Sequence, residues 1–104
     1  MMNQALIKKV QQMQKEMEQT QREIENTVFH GSIAGVVKVE VMGTREVVTV
    51  EVDPNFEISD ADDREVFNDA VVAACNQAYE EIDKVTDEKM AKYKALLGGM
   101  GGMF

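Results

Sequence analysis

Val37, Val39 and Val41 alternate with Lys38 and Glu40, and a few residues later Val48, Val50 and Val52 alternate with Thr49 and Glu51. A period of two marks strands with one covered face, because successive side chains point to opposite sides of a sheet. Val is also stiff at χ1, which suits an extended backbone. Val28, Val36 and Val47 extend this β-branched character over Thr27 to Asp53. Gly31–Gly35 and Gly43–Glu46 supply the turns. The expected product is a three-stranded antiparallel meander of Thr27–Ser32, Val36–Met42 and Val47–Asp53. Pro54 closes it, since Pro cannot donate to a ladder.

The flanks follow another period. From Asn3 to about Asn26, Leu6, Val10, Met13, Met17 and Ile24 are spaced by three and four, with Thr20 in the remaining slot. That is a helix with a narrow apolar seam of heptad type. Gln, Glu, Lys and Met propagate it, and no Gly or Pro interrupts it. Three heptads are marginal alone, so the helix needs a partner. After the link Asn55–Asp60, a second helix is expected to run to about Leu97. Ser59 and Asp62 have capping-box spacing, and Asp60, Asp62, Asp63 and Glu65 suit a helix start. Phe67, Val71, Ala74, Ala78, Ile82, Val85, Tyr93 and Leu96 carry its apolar positions. Unbroken, it would reach about 55 Å at about 1.5 Å per residue. Three strands cannot cover that length, so its far half must project or find a partner, unless a kink intervenes.

The expected class is α+β: long helix, β-meander, long helix. With 104 residues there is room for one small domain, 1–97, and a Gly/Met-rich tail, 98–104, expected to be flexible. No apolar run approaches the length of a membrane span, so no membrane partner is expected. A single Cys excludes an internal disulfide framework and fits a reducing cytoplasm.

Charge is more telling in its distribution than in its sum. The net charge is −8, which alone argues against nucleic acid. Yet residues 1–15 hold Lys8, Lys9 and Lys15 and no acid, and residues 84–104 hold Lys84, Lys89, Lys92 and Lys94 against Asp87 and Glu88. The acidity concentrates between, where residues 55–83 set Arg64 against nine acids. If the helices lie side by side, both basic ends meet at one distal tip. Lys8, Lys15 and Arg22, seven apart, form one stripe opposite the seam. A solvated outer face accounts for such a stripe, and lysines near a helix C-terminus complement its dipole. The convergence of two separate basic segments favours phosphate contact instead. The candidate phosphate-contacting residues are Lys8, Lys9, Lys15, Arg22, Lys84, Lys89, Lys92 and Lys94.

Other chemistry has little to use. His30 has no His or Cys near it in sequence and reads as a surface or interface residue rather than a ligand. Cys75, in an Ala-rich stretch, reads as a small buried hydrophobe. Asp60, Asp62 and Asp63 lack the Gly and the later Glu of a calcium loop. With one His, one Cys, and Ser32 and Ser59 as the only serines, no triad or metal cluster is apparent. No cofactor and no small-molecule substrate are expected.

Several segments in order carry a family likeness. They are Ile7-Lys8-Lys9-Val10-Gln11-Gln12-Met13-Gln14, Val36-Val37-Lys38-Val39-Glu40-Val41, Glu46-Val47 leading into Val50-Glu51-Val52-Asp53-Pro54, Val71-Val72-Ala73-Ala74-Cys75-Asn76-Gln77-Ala78, and Glu88-Lys89-Met90. With the Gly-rich ending at Met103-Phe104, the chain resembles the YbaB/EbfC family of nucleoid-associated proteins over essentially its whole length. The resemblance implies a tweezer-like homodimer that binds double-stranded DNA, a place on the nucleoid in the cytoplasm, and no enzymatic activity. Two departures from the family pattern stand out: the tail lacks a Pro, and Thr44-Arg45 replaces a Gly-Lys type of turn. The expected function is duplex binding with little sequence preference through basic helical tips. The rival is a non-enzymatic protein-interaction adaptor using the acidic body and the helical seam.

Overall fold

A computed structural model describes residues 4–99. The chain runs α1 (Gln4–Glu25), β1 (Val28–Ile33), β2 (Val37–Met42), β3 (Val47–Val52) and α2 (Ala61–Gly99). The sheet is antiparallel in the order β1-β2-β3. The expected elements are all present, with strand ends moved by a residue. α2 is unbroken for 39 residues, about 58 Å at about 1.5 Å per residue, because no Pro or Gly occurs between Ala61 and Leu97. It continues through Gly98 and Gly99, two residues past its expected end. The rest of the expected flexible tail, 100–104, lies outside the described residues.

The start of α2 is one residue off its expected cap. Asp60, not Ser59, is the N-cap: its carboxylate accepts the Asp63 N–H at 2.8 Å. The Asp63 carboxylate in turn accepts the Ser59 N–H at 3.0 Å. Asp is as good a cap as Ser, and the helix takes the one whose spacing leads directly into Ala61.

α2 lies across β1 and β2. Val37, Val39 and Val41 alternate as buried residues along β2, and Phe29 and Gly31 along β1. Ala70, Ala74, Ala78 and Ile82 meet them from the helix, and Ile24 joins from the end of α1. The small alanines bring the helix close. A Cβ on Gly31 would stand 1.8 Å from the Ala74 carbonyl oxygen, so this crossing requires glycine. Ser32 N–H donates to Gln77 Oε1 at 3.1 Å, which closes the outer edge of β1 with a helix side chain.

β3 is treated differently. All six of its residues are exposed. Val52 pairs with Val37, Val50 with Val39 and Val47 with Val41, so these valines stand on the face of the sheet that α2 covers at β1 and β2. The register slips at Glu40/Val41, where Glu40 faces Thr49 and Val41 faces Val47. Val48 is therefore the extra residue of a bulge, which places Val47 and Val48 on the same face. α2 is too narrow to reach them.

Candidate nucleic-acid interface

The distal half of α2 pairs with α1. Ile24 and Ile82 share the core, and β1 begins three residues after α1 ends. Both helices therefore root in the body, α1 entering and α2 leaving. Beyond the root, Tyr93 is only 2% exposed although it lies eleven residues past Ile82, where no strand reaches. The α1 seam covers it: Val10, Met13, Met17 and Thr20 are half-buried and Ile24 is buried, while the residues between them are exposed. On α2 the matching row is Ile82, Val85, Thr86, Met90 and Tyr93. The two helices form an antiparallel arm, and the molecule is 71 Å long against 23 and 15 Å across.

This geometry brings the ends of the chain to one place. Residues equally far from Ile24 and Ile82 come level, since both helices rise about 1.5 Å per residue. Lys15 then stands beside the turn holding Lys89 and Lys92, and Lys8 and Lys9 stand beside the end of α2. Within residues 4–15 and 89–99, Lys8, Lys9, Lys15, Lys89, Lys92 and Lys94 are the charged residues, with no acid among them. All are exposed.

The eight candidates do not share one face or one height. Arg22 is in the last turn of α1 and Lys84 is two residues past Ile82, so both sit at the root of the arm. Lys8, Lys15 and Arg22 face away from α2, as their seven-residue spacing opposite the seam requires. At about 100° per residue, Lys9 flanks the α1 seam, and Lys89 and Lys92 flank the α2 seam on the same side of the arm. Lys94 lies on the other side, 3.9 Å from Asp87 in an exposed ion pair, and Lys84 on the back of α2. The Lys92 ammonium lies 4.9 Å from the Tyr93 ring centre, an arrangement that steadies it over the arm.

The root has its own cluster. The Arg45 guanidinium pairs with Asp83 and lies 5.5 Å from the Tyr79 ring centre. Tyr79 O–H donates to the Arg45 carbonyl at 3.3 Å. Sequence spacing does not announce this cluster, because its members are 34 and 38 residues apart. On α2, Val72 lies seven residues before Tyr79 and so on the same flank, the one turned toward β3. It is 61% exposed. Val72 and the β3 valines thus form an uncovered apolar face.

His30 is exposed on the open face of the sheet, and Cys75 is half-buried beside Ala74. Among the described residues no group of three or more His, Cys, Asp or Glu could hold a metal ion. None of the described helices is long and apolar enough to cross a membrane. A depression of about 310 Å³ lies at the end of the sheet, between the β1–β2 turn, Lys38 and Glu51–Pro54, away from the arm.

Residues 1–99 match the pattern of the YbaB/EbfC DNA-binding family. A nucleoid-associated protein of Ruminiclostridium cellulolyticum is 34% identical over 100 residues, 95% of this chain and 85% of that one. A nucleoid-associated protein of Lactococcus lactis subsp. cremoris is 39% identical over 95 residues, 89% of this chain and 94% of that one. Among solved structures, an uncharacterized protein from Helicobacter pylori superposes with a TM-score of 0.64 at 22% identity, over 92% of this chain and 99% of that one. That likeness bears on the fold.

Proposed function

The chain belongs to the YbaB/EbfC DNA-binding family, and we propose that it works as a nucleoid-associated homodimer that grips duplex DNA through the lysines of the α1–α2 arm. The family is defined by DNA binding and not by a reaction. On this reading the protein resides on the nucleoid in the cytoplasm, as the names of its relatives suggest. The observation that carries it is the acid-free end of the arm, where lysines from both ends of the chain come level. Lys8, Lys9, Lys15, Lys89, Lys92 and Lys94 contact phosphates, with Arg22 and Lys84 joining where the duplex lies along the arm. Phosphate contacts hold the protein to DNA without reading bases, so little sequence preference is expected.

The acidic body does not defeat such binding. The distal lysines stand on the order of 10–20 Å beyond residue 83, from about 1.5 Å per residue. The Debye length is about 8 Å at physiological salt, so repulsion from the body is largely screened. The uncovered face supports the dimer: two copies of Val47, Val48, Val50, Val52 and Val72 would cover each other, as a two-fold interface allows. Two arms then bind with raised effective concentration.

The test is a duplex titration across salt. With these lysines sharing about four phosphates per protomer, and about 0.9 counterion released per phosphate, the dimer's log–log slope is about −7. A flat salt dependence, or no binding at low salt, overturns the reading.

A further inference from the structure

Taking the arm as the DNA-contacting element, we propose that Arg45 is a positioning residue for it, and that the β2–β3 turn is the clamp that fixes both arm helices to the body. Arg45 has a φ of +78°, a left-handed conformation that a side chain resists and that the last position of a three-residue hairpin loop reserves for glycine. The loop is of that kind: Met42 N–H donates to the Glu46 carbonyl and Arg45 N–H to the Met42 carbonyl, both at 2.8 Å. A residue held in such a conformation is over-determined by its surroundings. Here the surroundings are the root of the arm.

One side of the turn engages α2. The Arg45 guanidinium pairs with Asp83 and lies against Tyr79, whose O–H bonds back to the Arg45 carbonyl. Tyr79 and Asp83 flank Ile82, the last core residue before α2 leaves the body. The other side engages α1. Gly43 N–H donates to the Thr27 carbonyl at 3.0 Å, and a Cβ on Gly43 would stand 1.8 Å from the Ile24 carbonyl oxygen. A single turn therefore touches α1 at its last residues and α2 at its exit. The Arg45 and Asp83 side chains are 50% and 60% exposed, so their pair adds little to overall stability. Its effect is on where the arm points, hence on how many lysines meet the duplex together.

Asp83→Asn separates this role from simple charge. Removing a carboxylate beside the arm makes the protein less negative, so electrostatics alone gives tighter duplex binding. The clamp gives the opposite: about threefold to fivefold weaker binding, with the thermal midpoint held within a few degrees. Equal or tighter binding by Asp83→Asn overturns the proposal. Hydrogen exchange supplies a readout that does not depend on DNA. In both Asp83→Asn and Arg45→Gly, the last being free of the φ penalty, amides of residues 24–27 and 43–46 should exchange faster while those of β2 and 70–78 stay unchanged. Unchanged exchange at 24–27 overturns the clamp. If the unaltered protein fails to bind duplex, the DNA reading falls, and exchange still decides the clamp.

Discussion

The two halves of α2 are one unbroken helix in two environments. From Ala61 to Ile82 it buries alanines against a sheet and carries six acids against a single base, Arg64. From Asp83 onward it leaves the sheet, buries Tyr93 against α1, and ends in lysines. The first half needs small residues, because Gly31 and Ala74 bring helix and strand into backbone contact. The second needs one large residue, because two narrow seams meet there with no sheet to fill the gap. A helix can thus serve as core element and as lever when its buried row changes residue size where its support changes. Charge divides further out: acids continue along the arm to Glu16 and Glu88, and beyond them its end carries lysines and no acid.

This contrast can be broken from either side. The largest effect is expected from reversing the end of the arm. Lys8, Lys9, Lys89 and Lys92 changed together to Glu should weaken duplex binding by about 100-fold or more, with size and helix content unchanged; an anisotropy titration with circular dichroism reads both. Retained affinity would detach DNA binding from the arm. Next is the uncovered face. Val50→Asp places a carboxylate in the centre of the proposed pairing surface, and light scattering at micromolar concentration should report a monomer for this variant and a dimer for the unaltered chain. A smaller effect concerns the pin of the arm. Tyr93→Ala should cost about 3 kcal/mol, the lower end of the range for large aromatic deletions, lower the melting temperature by calorimetry, and speed amide exchange in 10–20 and 86–96. The smallest is the control on the body: Asp62→Asn with Asp69→Asn should change duplex affinity by less than about twofold at physiological salt, since screening separates those charges from the tip.

Much of the architecture is legible in the chain. The valine alternation marks β2 and β3 and, through Val37, Val39 and Val41, the covered face of β2. The three-and-four spacing of Val10, Met13, Met17 and Ile24 marks the seam that α1 turns to its partner. What is not legible depends on how elements meet. β3 has a clearer valine alternation than β1, yet it is β1 that buries residues and β3 that stays open. The difference lies in where a helix about 10 Å wide settles, and Gly31 decides that by admitting Ala74. The bulge at Val48 is a property of pairing, so the doublet Val47-Val48 looks in sequence like a slip in the alternation. The basic residues were recognisable as a set, but their division into arm and root requires knowing that Ile24 and Ile82 share one core. Thr44-Arg45 stands out in sequence as a departure from the family turn, but the contacts of Arg45 with Tyr79 and Asp83 need the folded chain.

The most direct measurement is the reactivity of each lysine toward an acylating reagent, with and without duplex DNA, read residue by residue by mass spectrometry. Lys38, on the open face of the sheet, is the internal standard. Duplex should shield Lys8, Lys9, Lys15, Lys89, Lys92 and Lys94, shield Lys84 less, and leave Lys38 as reactive as before. Shielding of Lys38 with the arm lysines unchanged would contradict this.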